Sequence, residues 1–269
     1  MPEPVRIRAS SLGELFDCPA RWEAKNLFKI RRPTSWAEHL GTAVHAGTAL
    51  FDQFRMDGEP ITIDDAAGAV VDTLQHPETE IDWEDESPNS VEKRAIPLHK
   101  LYCDTIAPKQ EYVAVEVLAE DLTIIDLGIT LTGTIDRVRV TKDGSYGIAD
   151  IKTGKSAVAK DGTVATQKHA AQLAVYELLA SHALDTDFEA PAQIIGLQDA
   201  KTDTGRRAAI GTIHNPKKLL LDDEESGKPG LLRIASNIVH GGNFYGNARS
   251  NLCTEKYCPV FNSCRWRKF

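Results

Sequence analysis

The sequence predicts an α/β protein in which a small mixed sheet is flanked by helices. Three observations predict it. Apolar residues recur with a helical period over roughly the first hundred positions. From Glu111 the period changes to two. Three of the five cysteines then crowd the C-terminus. The pattern is read as one domain, 1–269. Its first part (1–110) is mainly helical, 111–215 is an α/β core, and 216–269 is a C-terminal helix and cysteine-rich tail.

Residues 10–55 read as helical. Ser10 or Ser11 offers a cap, and Leu12, Leu15 and Phe16 follow on one side. Leu40, Val44, Leu50, Phe51 and Phe54 then make one broad apolar face. Further helices are expected at 64–75 and 90–106. Alternation predicts strands at 111–120, 131–140 and 145–153, the last two joined by a hairpin at Lys142-Asp143-Gly144. A helix over 166–182 and strands at 192–200 and 206–215 complete the core. A polar hinge, 221–230, precedes the last helix. No repeat or low-complexity tract interrupts this order.

Apolar residues are 42% and charged residues 26% of the chain, ordinary values for a globular protein. No apolar run reaches the roughly 18 residues of a membrane span. The opening "MPEPVRIRASS" has no apolar stretch of a secretory signal, so the expected location is cytoplasmic. The net charge of −8 gives no global attraction to nucleic acid but allows a local basic groove. The acidic stretch 76–92 reads as a solvated loop or a fraying helix end.

The stretch "DIKTGKS" (150–156) ends like a phosphate-cradling P-loop. That motif needs a glycine at 149, where this chain has Ala149. The alternative lies on the strand. Asp150 and Lys152 are two apart, so they share a face, together with Tyr146 and Ile148. Asp136 ends the preceding strand, within hairpin reach of Asp150. Two carboxylates are donors that Mg2+ or Mn2+ prefers, and the Ile151 backbone carbonyl is a further candidate ligand. Glu116, on the strand before, is a candidate for the same ion.

Asp136 in "GTIDRV", followed by Asp150 and Lys152 in "ADIKTGK", resembles the PD-(D/E)XK nuclease superfamily. "GTAVH" and "QLAVY" resemble further motifs of its RecB-type branch. The resemblance implies a restriction-endonuclease-like core. It implies His45 as a metal ligand beside Asp136 and Asp150, and Lys152 as an aid to water and phosphate. Gln172 and Tyr176, at i and i+4 on one helix face, are implied to position substrate. The implied activity is metal-dependent exonuclease cleavage of single-stranded or end-frayed DNA, in recombination, repair or phage DNA metabolism. Other readings are a CRISPR adaptation nuclease that trims spacer precursors, and a non-catalytic DNA-binding subunit that kept the fold. The sequence has no helicase motif, so unwinding implies a helicase partner; a recombinase or integrase is the partner in the other settings.

Cys253-x4-Cys258-x5-Cys264 offers three thiols, and Cys18 is the candidate fourth. Zinc or an iron–sulfur cluster could be held this way. One distant cysteine with a C-terminal triplet resembles the RecB-type nucleases that carry a 4Fe-4S cluster. These include the CRISPR-associated Cas-four type, the AddB-type nuclease domain and related phage exonucleases. The implied cluster staples the two chain ends. In these relatives two residues usually separate the first two tail cysteines; here four do. Cys103 reads as a small buried hydrophobe. Lys155 is a candidate phosphate contact. Arg265, Arg267 and Lys268, with Trp266 and Phe269, are read either as a DNA contact or as a solvated terminus.

Overall fold

The computed structural model describes residues 3–267. The expected helical run over 10–55 is three helices: α1 (Ala9–Asp17), α2 (Pro19–Asn26) and α3 (Trp36–Met56). Pro19 explains the first break. It lacks an N–H, fits the first position of a helix and cannot continue one. Ser10 and Ser11 lie inside α1 rather than capping it. Ser11 Oγ donates to the Arg8 carbonyl and accepts from Trp22 Nε1. α3 begins on a reciprocal cap, in which Ser35 Oγ accepts from Glu38 N and the Glu38 carboxylate accepts from Ser35 N.

α4 (Ile63–Gln75) and α5 (Pro88–Thr105) pack with α3 into one helical layer. The acidic stretch between them is mostly exposed, as its charge demands. It holds the two-residue strand Ile81–Asp82, which pairs parallel with Thr34–Ser35.

The main sheet contains Val5–Arg8 (β1), Tyr112–Ile124 (β2), Ile129–Val140 (β3), Tyr146–Gly154 (β4), Ala192–Gln198 (β5) and Arg207–Ile213 (β6). Its order is β1-β3-β4-β5-β6, with β2 pairing β3 on the other side. β1 was not expected from the sequence. Four residues carry too short an alternation, and its pairing with Ile129–Thr132 bridges more than a hundred residues.

β3 is the pivot. β2 runs antiparallel along one edge. The other edge is divided: β1 takes Ile129–Thr132 and β4 takes Arg137–Val140. Positions 133–136 lie between them with no strand on that side. β4 then leaves β3 and pairs parallel with β5 from Ala149 to Gly154. The crossover from β4 to β5 contains α6 (Ala170–Leu184), as a parallel connection requires.

Both faces of the sheet are covered. Ala149, Ile151, Ile195 and Leu197 pack under α3, α4 and α5. Ile129, Leu131, Ile148 and Ile194 pack against α1, α6 and α7 (Leu231–Gly241). The result is the α/β architecture expected, a mixed sheet flanked by helices. Among the described residues no helix is long and apolar enough to cross a membrane.

Candidate metal and catalytic site

The fork between β3 and β4 brings three carboxylates into one row. β3 and β4 pair as far as Arg137 with Ala149, so Asp136 and Asp150 are the next opposed positions, where the strands part. In the β2–β3 ladder Val115 faces Arg137 and Val117 faces Ile135, which sets Glu116 opposite Asp136. Glu116 has φ +48, a left-handed conformation that non-glycine residues seldom adopt. Such a residue costs on the order of 1–3 kcal/mol and persists only where its surroundings fix it.

His45 reaches the fork from α3. Its Nε2 lies 2.9 Å from the Ile151 carbonyl and its Nδ1 3.5 Å from Asp136 Oδ2. Nε2 donating to that carbonyl leaves the Nδ1 lone pair for a cation. His45, Glu116 and Asp136 bring ligand atoms within 4.8 Å of one another. Asp136 Oδ2 also accepts from Ile151 N at 2.8 Å.

Asp150 lies beside this trio, 1% exposed. Its Oδ1 accepts from Lys152 Nζ at 3.0 Å and from Gln172 Nε2 at 3.2 Å. Its Oδ2 is 2.8 Å from the same ammonium but has no aligned donor. Burial, then Asp136, raise the Asp150 pKa to about 6 against the pull of Lys152. Partial burial and Asp136 also raise Glu116. These carboxylates crowd each other without enough positive charge between them, an arrangement that a cation relieves.

Gln172 donates to both Asp150 and the Tyr176 hydroxyl, the latter at 3.0 Å. Burial and the nearby Asp150 and Asp136 raise the phenol pKa, so Tyr176 stays protonated. Two glycines make the assembly possible. A Cβ at Gly133 would stand 2.8 Å from Tyr176 Cε1, and one at Gly41 would stand 2.9 Å from Thr153 Oγ1. Gly41 therefore lets α3 close on β4, which accounts for a glycine four residues before His45.

Sequence reasoning missed Asp52 and Arg137. Both are fully buried, joined from Arg137 Nε to Asp52 Oδ2 at 2.8 Å. Arg137 Nη1 donates to Glu116 Oε1 at 3.0 Å and to the Asp136 carbonyl at 2.7 Å, and Nη2 to Thr48 Oγ1 at 3.2 Å. The guanidinium thus ties α3 to the kinked Glu116. The available signal was an arginine that follows Ile129, Leu131 and Ile135 in the same alternation of the strand.

The four predicted cluster cysteines line one cavity, with Gly246, Phe261 and Trp266. None forms a disulfide. Cys18 joins α1 to α2, and its sulfur accepts from Asn247 N at 3.4 Å. Ser250 Oγ donates to Asp17 Oδ2 at 2.6 Å, so the tail docks on that junction. Among the described residues no three cysteine sulfurs lie within 4.8 Å of one another. Cys103 is buried in α5, and burial raises its thiol pKa far above the ordinary value.

The weaker candidates are scattered. Lys155 Nζ lies 6.0 Å from the Trp36 ring centre. Arg265 lies over Trp266 at 4.0 Å, and Arg267 donates to the Asn262 carbonyl at 2.9 Å. Both arginines therefore pack within the tail. Lys268 lies outside the described residues.

A mixed sheet whose central strands part at an aspartate and an Asp-x-Lys defines a nuclease class of α/β fold. The chain belongs to the PD-(D/E)XK nuclease superfamily, whose family profile matches residues 6–265. Among solved structures it is similar to a "putative exonuclease" from Eubacterium rectale. That match has 13% identity and a TM-score of 0.58, and covers 98% of this chain and 90% of that one. The structure of SSO0001 matches with 16% identity and a TM-score of 0.45, covering 100% of this chain and 90% of its own. No curated protein shows significant sequence similarity to the chain.

Proposed function

We propose that the protein is a metal-dependent DNA exonuclease of the RecB-type branch, acting on single-stranded or frayed ends. One observation carries this reading. Glu116, Asp136 and Asp150 stand in register at the fork, Lys152 is beside them, and a buried oxygen of Asp150 has no aligned donor. Hard divalent cations take such oxygens, so the residues fit Mg2+ or Mn2+. Its ligands would be His45, Glu116, Asp136 and Asp150. The Ile151 carbonyl, engaged by His45, is a weaker candidate than the sequence suggested. A bound cation acidifies water and screens charge developing on the phosphate.

The chain's own residues do the rest. Lys152 sets a positive charge beside Asp150, where it orients water and stabilises phosphate oxygens. Gln172 fixes the angle of the Asp150 carboxylate. It donates to the Tyr176 oxygen, which leaves the phenolic hydrogen free for a phosphate oxygen.

For the tail, the reading is a 4Fe-4S cluster held by Cys18, Cys253, Cys258 and Cys264, and what supports it is that all four line one cavity. A zinc ion with Zn–S bonds of about 2.3 Å holds its sulfurs roughly 3.8 Å apart, and these thiols are not drawn together that closely. The cluster reading rests on that shared lining by four cysteines, the set the sequence resemblance implies. Protein purified without oxygen should be brown with about four irons per chain; colourless protein with stoichiometric zinc overturns the cluster.

The nuclease is tested on end-labelled linear and circular single strands, with Mg2+ or Mn2+. Wild type should release nucleotides from ends and Asp150→Ala should not. Identical products from both sink the nuclease reading, and cleavage of the circle sinks the exonuclease part.

A further inference from the structure

Lys152 borders a second cavity, which the proposed chemistry leaves unused. It measures about 100 Å³ and opens between the end of β4 and the segment leading into α6. Its polar lining comes from Lys152, Thr153, Ser156, Lys168 and His169, while Val164 and Ile194 close its apolar side. Every ionisable group on this wall is basic, and no carboxylate lines it. Among the described residues neither the Lys168 side chain nor the His169 ring has a hydrogen bond or ion pair.

Lys152 is paired with Asp150, but Lys168 and His169 leave this wall basic in a chain of net charge −8. Its field is visible in one group. Burial, then Lys152 and Lys168, push the His169 pKa down to about 4, so the imidazole is neutral at pH 7. An anion in the cavity would reverse that pressure and give Lys168 and His169 a partner. The size fits a small oxyanion with a few waters, each water occupying roughly 30 Å³ of liquid, and is too small for a nucleoside. α6 begins at Ala170, directly after His169, and its positive end adds to the field.

We infer that this cavity is a phosphate subsite, in which Ser156, Lys168 and His169 hold a phosphate next to the one cleaved, or a terminal phosphate of the strand. It rests on the nuclease reading above. Lys152 stands between the subsite and Asp150, so a phosphate held here sets the neighbouring phosphodiester against the carboxylates.

The test uses Lys168→Ala and Lys168→Glu; Lys168 is exposed and unpaired, so both variants should fold. Inorganic phosphate is titrated against the full chain while the His169 ring is followed by NMR. Wild type should show a saturable shift of the ring resonances as phosphate binds, and Lys168→Glu should not. In cleavage assays Lys168→Ala should raise KM about tenfold, the order expected for one charge-assisted hydrogen bond, with kcat unchanged. The slope of log KM against log salt should fall by about 1. Strands with one neutral methylphosphonate, walked along the chain, locate the contact. The position that raises KM in wild type but not in Lys168→Ala marks an internal phosphate. Removal of an end phosphate giving the same effect marks a terminal one. Unchanged KM and salt slope in both variants overturn the subsite. If wild type cleaves no DNA, the nuclease reading falls and the phosphate titration alone decides. A His169 ring that ignores phosphate then overturns the subsite as well.

Discussion

Removing Asp52 should cost the protein both stability and its grip on Glu116, and the two losses can be separated. Arg137 and Asp52 side chains are each 0% exposed. Burial alone would lower the Arg137 pKa, but Asp52, the nearby Tyr102 and Glu116 outweigh it and hold the guanidinium charged. Asp52→Ala leaves that charge with the Thr48 hydroxyl, the Asp136 carbonyl and Glu116. Breaking a buried pair by deleting one partner costs about 3–5 kcal/mol. The remaining partners put this case near 3 kcal/mol. At about 2–4 °C per kcal/mol for a chain of this size, Tm should fall by roughly 6–12 °C.

The double variant Asp52→Leu with Arg137→Met removes both charges and keeps the volume. Apolar replacement of a buried pair is often neutral or stabilising, so Tm should return to within about 3 °C of wild type. Function should not return. Glu116 keeps its left-handed kink without the guanidinium that holds its carboxylate. Loss of such a supporting group costs about 10–100-fold in metal affinity or activity. Thermal unfolding and Mn2+ titration of the same preparations check this. An Asp52→Ala variant that melts with wild type refutes the stability argument. A double variant with wild-type Mn2+ affinity refutes the anchoring role of Arg137.

Asp150→Asn should reduce cleavage at least 100-fold and yet stabilise the metal-free protein. The folded carboxyl keeps its proton up to about pH 6, above its unfolded value near 3.9, so wild type loses stability as pH rises through that window. The amide avoids this loss, worth up to about 2–3 kcal/mol at pH 7, and a Tm below wild type would refute it. Glu177, 1% exposed in α6, behaves alike away from the site: burial raises its pKa to about 7, against the pull of Lys217. Glu177→Gln should therefore match wild type at pH 4 and exceed it at pH 8, as read by unfolding at both values, with activity unchanged. Cys258→Ser should lose iron and lower Tm. By the loop-closure argument a staple across more than 230 residues contributes about 5.5 kcal/mol at the upper limit, so a variant that keeps its iron and Tm argues against the staple.

What the sequence disclosed follows from where each constraint acts. Asp136, Asp150 and Lys152 were legible because a strand puts alternate residues on one face, and charge on an apolar face demands a use. His45, Gln172 and Tyr176 were legible only as an ordered set; singly, none of these residue types on a helix points to a site. Glu116 was a bare candidate, since the ladder register that sets it opposite Asp136 is not written in local pattern. β1, Asp52 and Arg137 were hidden for the same reason. β1 is a strand only because β3 offers it an edge over Ile129–Thr132. That loan of an edge is also what makes the site. With β1 on one half of it and β4 on the other, Asp136 stands in the gap, and its carboxylate accepts the Ile151 N–H at 2.8 Å. Residues 150–152 already pair with β5 on one edge, and a β4 that paired with β3 along its whole length would fill the other edge too, including the Ile151 N–H that Asp136 takes. The fork instead frees Asp150 and Lys152 to face α6 while His45 reaches the Ile151 carbonyl from α3. The site therefore depends on the divided edge of β3, a property of three strands together and of none alone.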